Sequence, residues 1–271
     1  MFDYAGKTVF VAGGTSGINL GIAEAFAEAG ANVFVFSRRP EKVEAAVAKL
    51  QNLGAKAEGA IADVRDVDAV TAAFARAAET FGEIDVLVSG AAGNFPARAN
   101  DLSSNGFRAV MEIDLLGTHH VMTAAYQHLR KPGASIVNIS APQAVVAMTG
   151  QVHVCAAKAG VDMITKTLAL EWGEEGIRIN SVIPGPIDGT EGMSRLAPTP
   201  EAMEEVRKSV PMKRVGIPRD VANLCMYLGS DFASYLTGAV IPVDGGWALN
   251  MPGTALDPIL DHIAASRRAK G

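Results

Sequence analysis

The sequence predicts an α/β protein in which helices cover both faces of a seven-stranded parallel sheet. Short runs rich in β-branched residues alternate with longer amphipathic segments, and repeated strand–helix units favour right-handed crossovers between parallel strands. The predicted strands are apolar nearly throughout, as burial on both faces of a sheet requires. No linker or shift in composition divides the 271 residues. These observations indicate one doubly wound, Rossmann-type domain over residues 1–271.

The elements follow in order from the alternation of two hydrophobic patterns. Short runs such as TVFVA, NVFVF and ASIVNIS are apolar and β-branched, which predicts strands at residues 8–12, 32–36, 56–63, 84–90, 134–140, 177–183 and 239–244. Between these runs the apolar residues recur with helical spacing, which predicts helices near residues 17–30, 40–53, 66–82, 104–130, 150–174 and 218–230.

Residues 184–211 follow the predicted sixth strand and contain five prolines and three glycines. Such a segment cannot form one regular element. Because doubly wound sheets bind ligands beyond the carboxyl ends of their strands, we expect a mobile lid over a substrate here. An ordinary surface excursion is the alternative. Residues 251–271 form a C-terminal tail whose role the sequence leaves open.

The composition argues against several classes of function. The net charge of −5 speaks against a nucleic-acid-binding protein, and no block of Lys or Arg is long enough for a membrane-binding patch. The sequence has no run of about 18 apolar residues and no signal-peptide pattern at its start. Cys155 and Cys225 have apolar neighbours, so neither a disulfide framework nor a metal site is indicated. We expect a soluble, cytoplasmic protein.

A glycine-rich turn joins the first strand to the first helix, in the stretch 12-AGGTSGINLG-21. Glycines allow backbone amides to approach a pyrophosphate closely, and the amino terminus of the helix adds partial positive charge. We therefore predict that this turn holds a dinucleotide cofactor. The contacts are expected from Gly13, Thr15, Ser16, Gly17 and Ile18.

The end of the second strand indicates which dinucleotide is bound. An acidic residue there would bind the adenosine ribose hydroxyls and repel a ribose phosphate. The sequence instead has Ser37 followed by Arg38 and Arg39. Because guanidinium groups suit a phosphate monoester, NADP(H) is favoured over NAD(H). Asp63 and Val64 end the third strand, where they are expected to flank the adenine.

With these motifs in place, the chain resembles the short-chain dehydrogenase/reductase family over nearly its whole length. The resemblance rests on 13-GGTSGI-18, Asp63-Val64, 91-AAG-93, the lysine in 155-CAAKAG-160, 184-PGPI-187 and 237-TGAVIPVDGG-246. It implies further cofactor contacts from Ala91, Ala92, Gly93, Lys158, Pro184, Gly185 and Ile187. Asn19 stands where the family usually has its last glycine. Asparagine tolerates left-handed backbone, so we expect the turn to be kept.

The usual catalytic set of this family is a serine, a tyrosine, a lysine and an asparagine, and this chain keeps only the lysine. Val154 occupies the tyrosine place, Ala141 the serine place and Asp114 the asparagine place, while Lys158 is retained. Ketone reduction needs a proton for the developing alkoxide, and the family's tyrosine supplies it. Valine and alanine supply none, so ordinary ketone and alcohol chemistry is disfavoured.

A narrower resemblance accounts for these substitutions. The strings 91-AAGNFPA-97, 111-MEIDLLGTHHV-121, 152-VHVCAAKAGVDMITKTLALEWG-173 and 184-PGPIDGTEGMSRL-196 are similar to the 2,4-dienoyl-CoA reductases, especially the peroxisomal type, whose members also lack the usual tyrosine and serine. The resemblance implies an NADPH-dependent reduction of a conjugated dienoyl-CoA thioester to an enoyl-CoA. Hydride addition leaves a dienolate that is protonated at carbon, so its oxygen needs only hydrogen-bond donors.

The residues around Lys158 are assigned roles on this basis. Lys158 is predicted to hold the nicotinamide ribose, and Asp114 to bond Lys158 or to order a proton-donating water. Asp162 lies on the same helical face as Lys158, where it would orient the lysine or a water; a structural role is equally consistent. Predicted substrate contacts are Asn94, Phe95, Ser140 and, at a basic rim for the coenzyme A phosphates, Arg195. His119, His120 and His153 fit core or interface positions better than catalysis.

Two other functions are also consistent with the sequence. One is a reductase of the same fold that acts on a ketone, an alcohol or another activated double bond. The other is a non-catalytic NADP-binding protein, since a fold does not fix a function. A buried Asp114–Lys158 pair facing one pocket with Asn94 would favour the dienoyl-CoA reaction. By resemblance, the protein is expected to be a homotetramer.

Overall fold

The computed structural model describes residues 2–250 together with residues 259, 260, 262 and 265. In this part of the chain seven strands form one parallel sheet in the order β3-β2-β1-β4-β5-β6-β7. The predicted seven-stranded, doubly wound architecture is confirmed. The strands are β1 Thr8–Ala12, β2 Asn32–Ser37, β3 Ala57–Ile61, β4 Val86–Ser89, β5 Ser135–Ile139, β6 Arg178–Pro184 and β7 Val240–Val243.

The helices occupy the predicted stretches and add two within the lid segment. They are α1 Gly17–Glu28, α2 Pro40–Asn52, α3 Val67–Phe81, α4 Ser104–Val110, α5 Gly117–Ala125, α6 Val152–Trp172, α7 Glu191–Leu196, α8 Pro200–Ser209 and α9 Pro218–Gly229. The short α7 and α8 lie inside residues 184–211, so that segment is indeed not one regular element. Thr190 and Thr199 cap these two helices through their hydroxyls.

Alternate side chains of each central strand point into two separate hydrophobic cores, one on each face of the sheet. Val9 and Val11 of β1 face the core that includes residues of α1 and α9. Phe10 faces the opposite core, which includes residues of α3, α5 and α6, and its ring stacks on Phe74 with centroids 4.0 Å apart. Because successive strand side chains point to opposite faces, burial on both sides explains the continuous apolar runs.

The helix predicted over residues 104–130 is not continuous. Between α4 and α5 the chain forms a π-helical stretch, Met111–Leu116, and the α-helical part ends at Ala125. The wider π turn lies where Asp114 is buried. π turns within helices are often found at functional sites. After it, α5 packs closely on the loop that follows β3, since a Cβ on Gly117 would lie 2.7 Å from a side-chain carbon of Val64. Asp63 and Val64 lie in this loop and do not end the third strand as predicted, because β3 stops at Ile61.

The strand order reverses between β1 and β4, which places the switch point of the sheet at their carboxyl ends. Doubly wound sheets bind ligands at this point. A cleft and a cavity adjoin there and share Asn19, Gly90 and Ala92 in their walls. Most of the predicted tail 251–271 lies outside the described residues; of its described residues, Leu260 is buried against Met148.

Candidate active site

The glycine-rich turn between β1 and α1 forms the floor of the cleft. Gly13 and Gly17 both adopt positive φ angles, 73° and 55°, and a Cβ on Gly13 would lie 3.0 Å from the Ala91 backbone. Ser16 precedes α1 with extended backbone, and its side chain makes no capping bond. The first amides of α1 are therefore left without a side-chain cap, as the phosphates of a dinucleotide require. These residues fit the predicted cofactor.

Asn19 ties this turn to the end of β4. Asn19 lies in the first turn of α1, and Lys213 is the one non-glycine residue with positive φ in the described part of the chain. The turn is kept as expected, but without the left-handed backbone at Asn19 that the expectation allowed for. Its Nδ2 donates to the Gly90 carbonyl at 2.7 Å. A Cβ on Gly90 would lie 2.2 Å from Asn19 Oδ1, so each residue restricts what the other position can hold.

Positive charge collects at the end of the cleft where the second strand stops. Ser37 and Arg38 line it as predicted, and Arg39 and Lys42 line it as well. The nearest carboxylate to Arg38 is Asp63, at 4.0 Å. Sequence reasoning missed Lys42, although it lies three residues after Arg39 on the first turn of α2 and therefore on the same side.

Asp63 is held by a neighbour on its own loop. Arg65 donates two side-chain hydrogen bonds to its carboxylate, at 3.0 and 2.6 Å. These bonds lower the pKa of Asp63 below its ordinary value, against the opposing effect of partial burial. Asp63 is thus held as a negative charge beside the expected adenine position. Because it pairs mainly with Arg65, the Arg38 guanidinium is left available to bind another anion.

Most of the predicted cofactor residues line the cleft or the adjoining cavity. The cleft is lined by Gly13, Thr15, Ser16, Ser37, Arg38, Asp63, Val64, Ala91 and Ala92. The cavity is lined by Ile18, Lys158, Pro184, Gly185 and Ile187. Gly17 and Gly93 do not line either space; Gly17 shapes the turn, and the Gly93 amide donates to Asp114 at 2.7 Å.

Asp114 and Lys158 form a buried ion pair beside the cavity. Asp114 is 1% exposed and Lys158 is 6% exposed, and the distance from Lys158 Nζ to Asp114 Oδ2 is 3.4 Å. Lys158 Nζ also donates to the Ile139 carbonyl at 3.0 Å. An ammonium group has three donors, and the bond to Ile139 is the one of normal hydrogen-bond geometry among the described residues, so a donor remains for a ligand in the cavity. The predicted meeting of Asp114 and Lys158 with Asn94 is present, since all three line one space.

The cavity has a volume of 580 Å³ and a mostly apolar wall. Val154 lines it one turn before Lys158, and Ala141 lines it after β5. Residues of the segment predicted to be a lid also line the cavity, among them Met193 of α7 and Val206 of α8. The size and apolar lining suit a small-molecule substrate with an apolar part.

Asp162 is buried one turn after Lys158 on α6 and does not line the cavity. Neither of its carboxylate oxygens has a hydrogen-bond partner of normal geometry among the described residues. Burial raises the pKa of Asp162 above its ordinary value, while the nearby hydroxyls of Ser140 and Ser181 and the charge of Lys158 oppose the rise. Ser140, by contrast, lines the cavity. Asp162 therefore acts on a ligand only through its neighbours.

The predicted substrate residues divide into two groups. Asn94 and Ser140 line the cavity. Phe95 and Arg195 are exposed and do not line the cavity, but both contact the loop that carries Asn94. His153 Nε2 donates to the Phe95 carbonyl at 2.9 Å, and Arg195 donates to the Asn94 carbonyl at 3.0 Å. Arg195 also pairs with Glu191 in α7, so it connects the lid to this loop.

None of the three histidines lines the cavity. His153 is fully buried, and burial lowers its pKa below the ordinary value despite the Phe95 carbonyl and the charge of Asp114. His120 bonds the Val64 carbonyl through Nδ1 at 2.8 Å, and His119 is exposed on α5. These contacts agree with the structural roles favoured from the sequence. The described residues contain no cluster of three potential metal ligands.

Comparisons with known proteins identify the family. The family model described as enoyl-(acyl carrier protein) reductase matches residues 12–248. A crystal structure of a short chain dehydrogenase from Bacillus anthracis superposes with a TM-score of 0.84 at 38% identity, covering 91% of this chain and 98% of that one. The chain belongs to the short-chain dehydrogenase/reductase family. As a short-chain dehydrogenase/reductase it is an oxidoreductase that uses a nicotinamide cofactor.

Two curated relatives carry a narrower name. The chain is 41% identical over 257 residues to the peroxisomal 2,4-dienoyl-CoA reductase, (3E)-enoyl-CoA-producing, of Arabidopsis thaliana, which covers 91% of this chain and 86% of that protein. It is also 41% identical over 251 residues to the probable 2,4-dienoyl-CoA reductase, (2E)-enoyl-CoA-producing, of Bacillus subtilis, covering 90% and 97%. Within the described residues, no helix of this short-chain dehydrogenase/reductase is long and apolar enough to span a membrane.

Proposed function

We propose that this short-chain dehydrogenase/reductase is an NADPH-dependent 2,4-dienoyl-CoA reductase of unsaturated fatty-acid degradation. The observation that carries the proposal is the buried Asp114–Lys158 pair in a cavity where Val154 and Ala141 replace hydroxyl-bearing residues. A reaction that protonates the substrate at carbon needs no phenol at Val154. The dienoyl-CoA reductases among its relatives support the same substrate class.

The residues of the cavity have distinct tasks in this reaction. Bound NADPH supplies the hydride. Lys158 offers its free donor to the nicotinamide ribose and adds positive charge beside the substrate. Asp114 holds Lys158 in place through their ion pair. It also accepts a hydrogen bond from the Gly93 amide and so holds the loop that carries Asn94. Its third role is to order the water that gives a proton to the substrate carbon. Asp162 is a positioning residue for Lys158 and Ser140.

The preference for NADPH is supported by charge at the end of β2. Arg38, Arg39 and Lys42 surround the place of an adenosine ribose phosphate, and Ser37 brings no negative charge there. Three cations suit a phosphate monoester, whereas the ribose hydroxyls of NADH would call for a carboxylate.

The basic rim proposed for the coenzyme A phosphates consists of surface cations that already have carboxylate partners. Arg195, Lys208, Arg214 and Arg219 each form an ion pair with a surface carboxylate. Exposed pairs of this kind are weak, about 0–1 kcal/mol. A phosphate can therefore displace the carboxylate at Arg195, the member of this set that also contacts the Asn94 loop.

The test is NADPH consumption with 2,4-hexadienoyl-CoA beside a panel of ketones and simple enoyl-CoAs. We expect turnover of the dienoyl thioester and little with ketones, and the product is then analysed for its double-bond position. That analysis matters because the relatives' names specify both (3E) and (2E) products. Turnover of ketones without the dienoyl thioester would favour the alcohol and ketone reading. NADPH binding without any turnover would favour the non-catalytic reading.

We also infer that the enzyme is a homotetramer. Met163 and Leu170 are exposed on α6, with Leu170 83% accessible, and Phe232 and Tyr235 are exposed after α9. Two separate apolar surfaces suit an assembly with two kinds of two-fold contact. Light scattering should give the mass of four chains, and Leu170→Lys should reduce it to that of a smaller species. The cytoplasmic location stays a prediction.

A further inference from the structure

Gln151 is a buried polar residue of the cavity to which neither the sequence nor the reaction above assigned a role. It immediately precedes α6, is 1% exposed and lines the cavity. Its backbone is fixed, since its amide donates to the Met148 carbonyl at 3.2 Å and its carbonyl accepts from Cys155 at 2.8 Å. Within the described residues its side-chain Oε1 has no hydrogen-bond partner.

A buried carboxamide oxygen without a hydrogen-bond partner destabilises the folded protein when no ligand is bound. Buried polar groups in proteins are nearly always hydrogen-bonded, and an exception calls for a partner that arrives with a ligand or water. The carboxamide can rotate about its last bond, so it can present its NH₂ group as well as its oxygen to the cavity.

The position of Gln151 matches the place of the missing hydroxyls. Val154 and Lys158 follow it by three and seven residues, on the first two turns of α6, and Gln151 itself lies just before that helix. All three line the cavity, together with Ala141 at the other missing hydroxyl. Gln151 therefore brings a hydrogen-bond donor to a wall from which the usual donors are absent.

A carboxamide is chemically suited to this place. It donates a hydrogen bond without giving up a proton, so it can stabilise a negative oxygen and leave protonation to occur elsewhere. In the reduction proposed above, the dienoyl thioester accepts a hydride from NADPH at the far carbon, which leaves NADP⁺. The electron pair that is displaced moves through the conjugated system to the thioester oxygen, and a proton from water then adds at carbon to complete the enoyl product.

We propose that the Gln151 carboxamide binds the thioester carbonyl oxygen and stabilises the negative charge that forms on it. The inference rests on the proposed function and names a further catalytic residue for it. Gln143 is the natural comparison, because it also lines the cavity and also has an unpartnered Oε1. Its Nε2, however, lies 3.7 Å from Met148 Sδ, and the residue is only half-buried.

The experiment compares Gln151→Met with Gln127→Met, at an exposed glutamine away from the cavity, in the full-length protein, using NADPH and 2,4-hexadienoyl-CoA. Loss of one donor to an oxyanion lowers kcat about 100- to 1,000-fold, and we expect this for Gln151→Met, with kcat of Gln127→Met close to wild type. Methionine removes an unpaired buried polar group, so the melting temperature of Gln151→Met should stay the same or rise. A purely structural Gln151 would instead lower the melting temperature.

A spectroscopic measurement is independent of turnover. A hydrogen bond to the thioester oxygen polarises the conjugated system, so the absorbance of 2,4-hexadienoyl-CoA should shift to longer wavelength when it binds the wild-type protein with NADP⁺. Gln151→Met should bind without this shift. A wild-type enzyme active on the dienoyl thioester, with an equally active and equally shifted Gln151→Met, would overturn this inference alone. An inactive wild type would overturn the proposed function and the inference with it.

Discussion

The cofactor cleft and the substrate cavity share a wall at Asn19, Gly90 and Ala92, yet they are built differently. The cleft depends on backbone shape at the glycine-rich turn and on exposed cations such as Arg38. The cavity depends on buried side chains, and several of their polar atoms have no partner of normal geometry among the described residues. Substitutions in the cleft should therefore change which cofactor binds, whereas substitutions in the cavity should change stability and turnover together.

The largest effect is expected at the buried ion pair of the cavity. Lys158→Met leaves Asp114 buried without its cation, so kcat should fall about 100- to 1,000-fold and the free energy of unfolding by about 3–5 kcal/mol. In the double variant Lys158→Met/Asp114→Asn, the amide still accepts from Gly93 and no charge is left unpaired. Urea unfolding and steady-state kinetics should show stability largely restored and activity still lost. Additive stability losses in the double variant would contradict the pairing.

In the cleft, Ser37→Asp should change the choice of cofactor. The new carboxylate faces the cations that surround the expected ribose phosphate and repels the phosphate itself. Like-charge contacts of this kind cost several kcal/mol, so kcat/KM for NADPH should fall about 100-fold, while that for NADH is kept or rises. Ser104→Asp, on the exposed start of α4, is the matched control. Equal losses with both cofactors would show that the variant disturbs the strand instead.

The shared wall is tested by Gly90→Ala. The added methyl would lie 2.2 Å from Asn19 Oδ1, and overpacking of this kind costs about 1–3 kcal/mol. Thermal unfolding should detect the loss, and the affinity for NADPH should fall with it. Asn19→Gly in the same chain removes the clash and should recover most of both. Failure of the second substitution to recover either property would show that Gly90 is required for another reason.

The smallest effect is expected from Asp162→Asn and depends on pH. Burial raises the pKa of Asp162 in the folded protein, so its contribution to stability is present below the unfolded pKa and is lost as pH rises through the folded value. The variant should therefore match wild type most closely at a pH below the ordinary pKa of an aspartate carboxyl, and become the more stable of the two as the pH rises above it. Melting temperatures across this range check the sign. A variant that is less stable at pH 8 than at pH 5, relative to wild type, would refute it.

The contrast also explains how much the sequence could predict. The cleft follows from local patterns: glycines in a turn, a serine and arginines at a strand end. Their positions on the sheet are fixed by the alternation of strands and helices. Asp114 and Lys158 could be predicted to meet because the resemblance placed both in one reaction centre, although they are 44 positions apart.

Other parts of the site depend on tertiary contacts that no local pattern reveals. The π turn at Met111–Leu116 interrupts a helix that reads as continuous. Asn19 was interpreted from its own backbone preference, whereas its role depends on Gly90, 71 residues away. Gln151 was predicted only as part of a helix start. Its burial, together with the lack of a partner for its own side-chain oxygen, identifies it as a candidate substrate-binding residue.

The π turn makes the reaction centre sensitive to chain length as well as to residue type. A π turn holds one residue more per hydrogen-bonded ring than an α turn, so losing a single codon within Met111–Leu116 would let the segment revert to a regular helix. The helices before and after the stretch would keep their register, because the π turn absorbs the extra residue, while the residues within the stretch would lose their wider turn. Asp114 would turn away from Lys158 while every other residue of the site stayed in the gene. In-frame deletions here should abolish function as thoroughly as a change at the lysine itself.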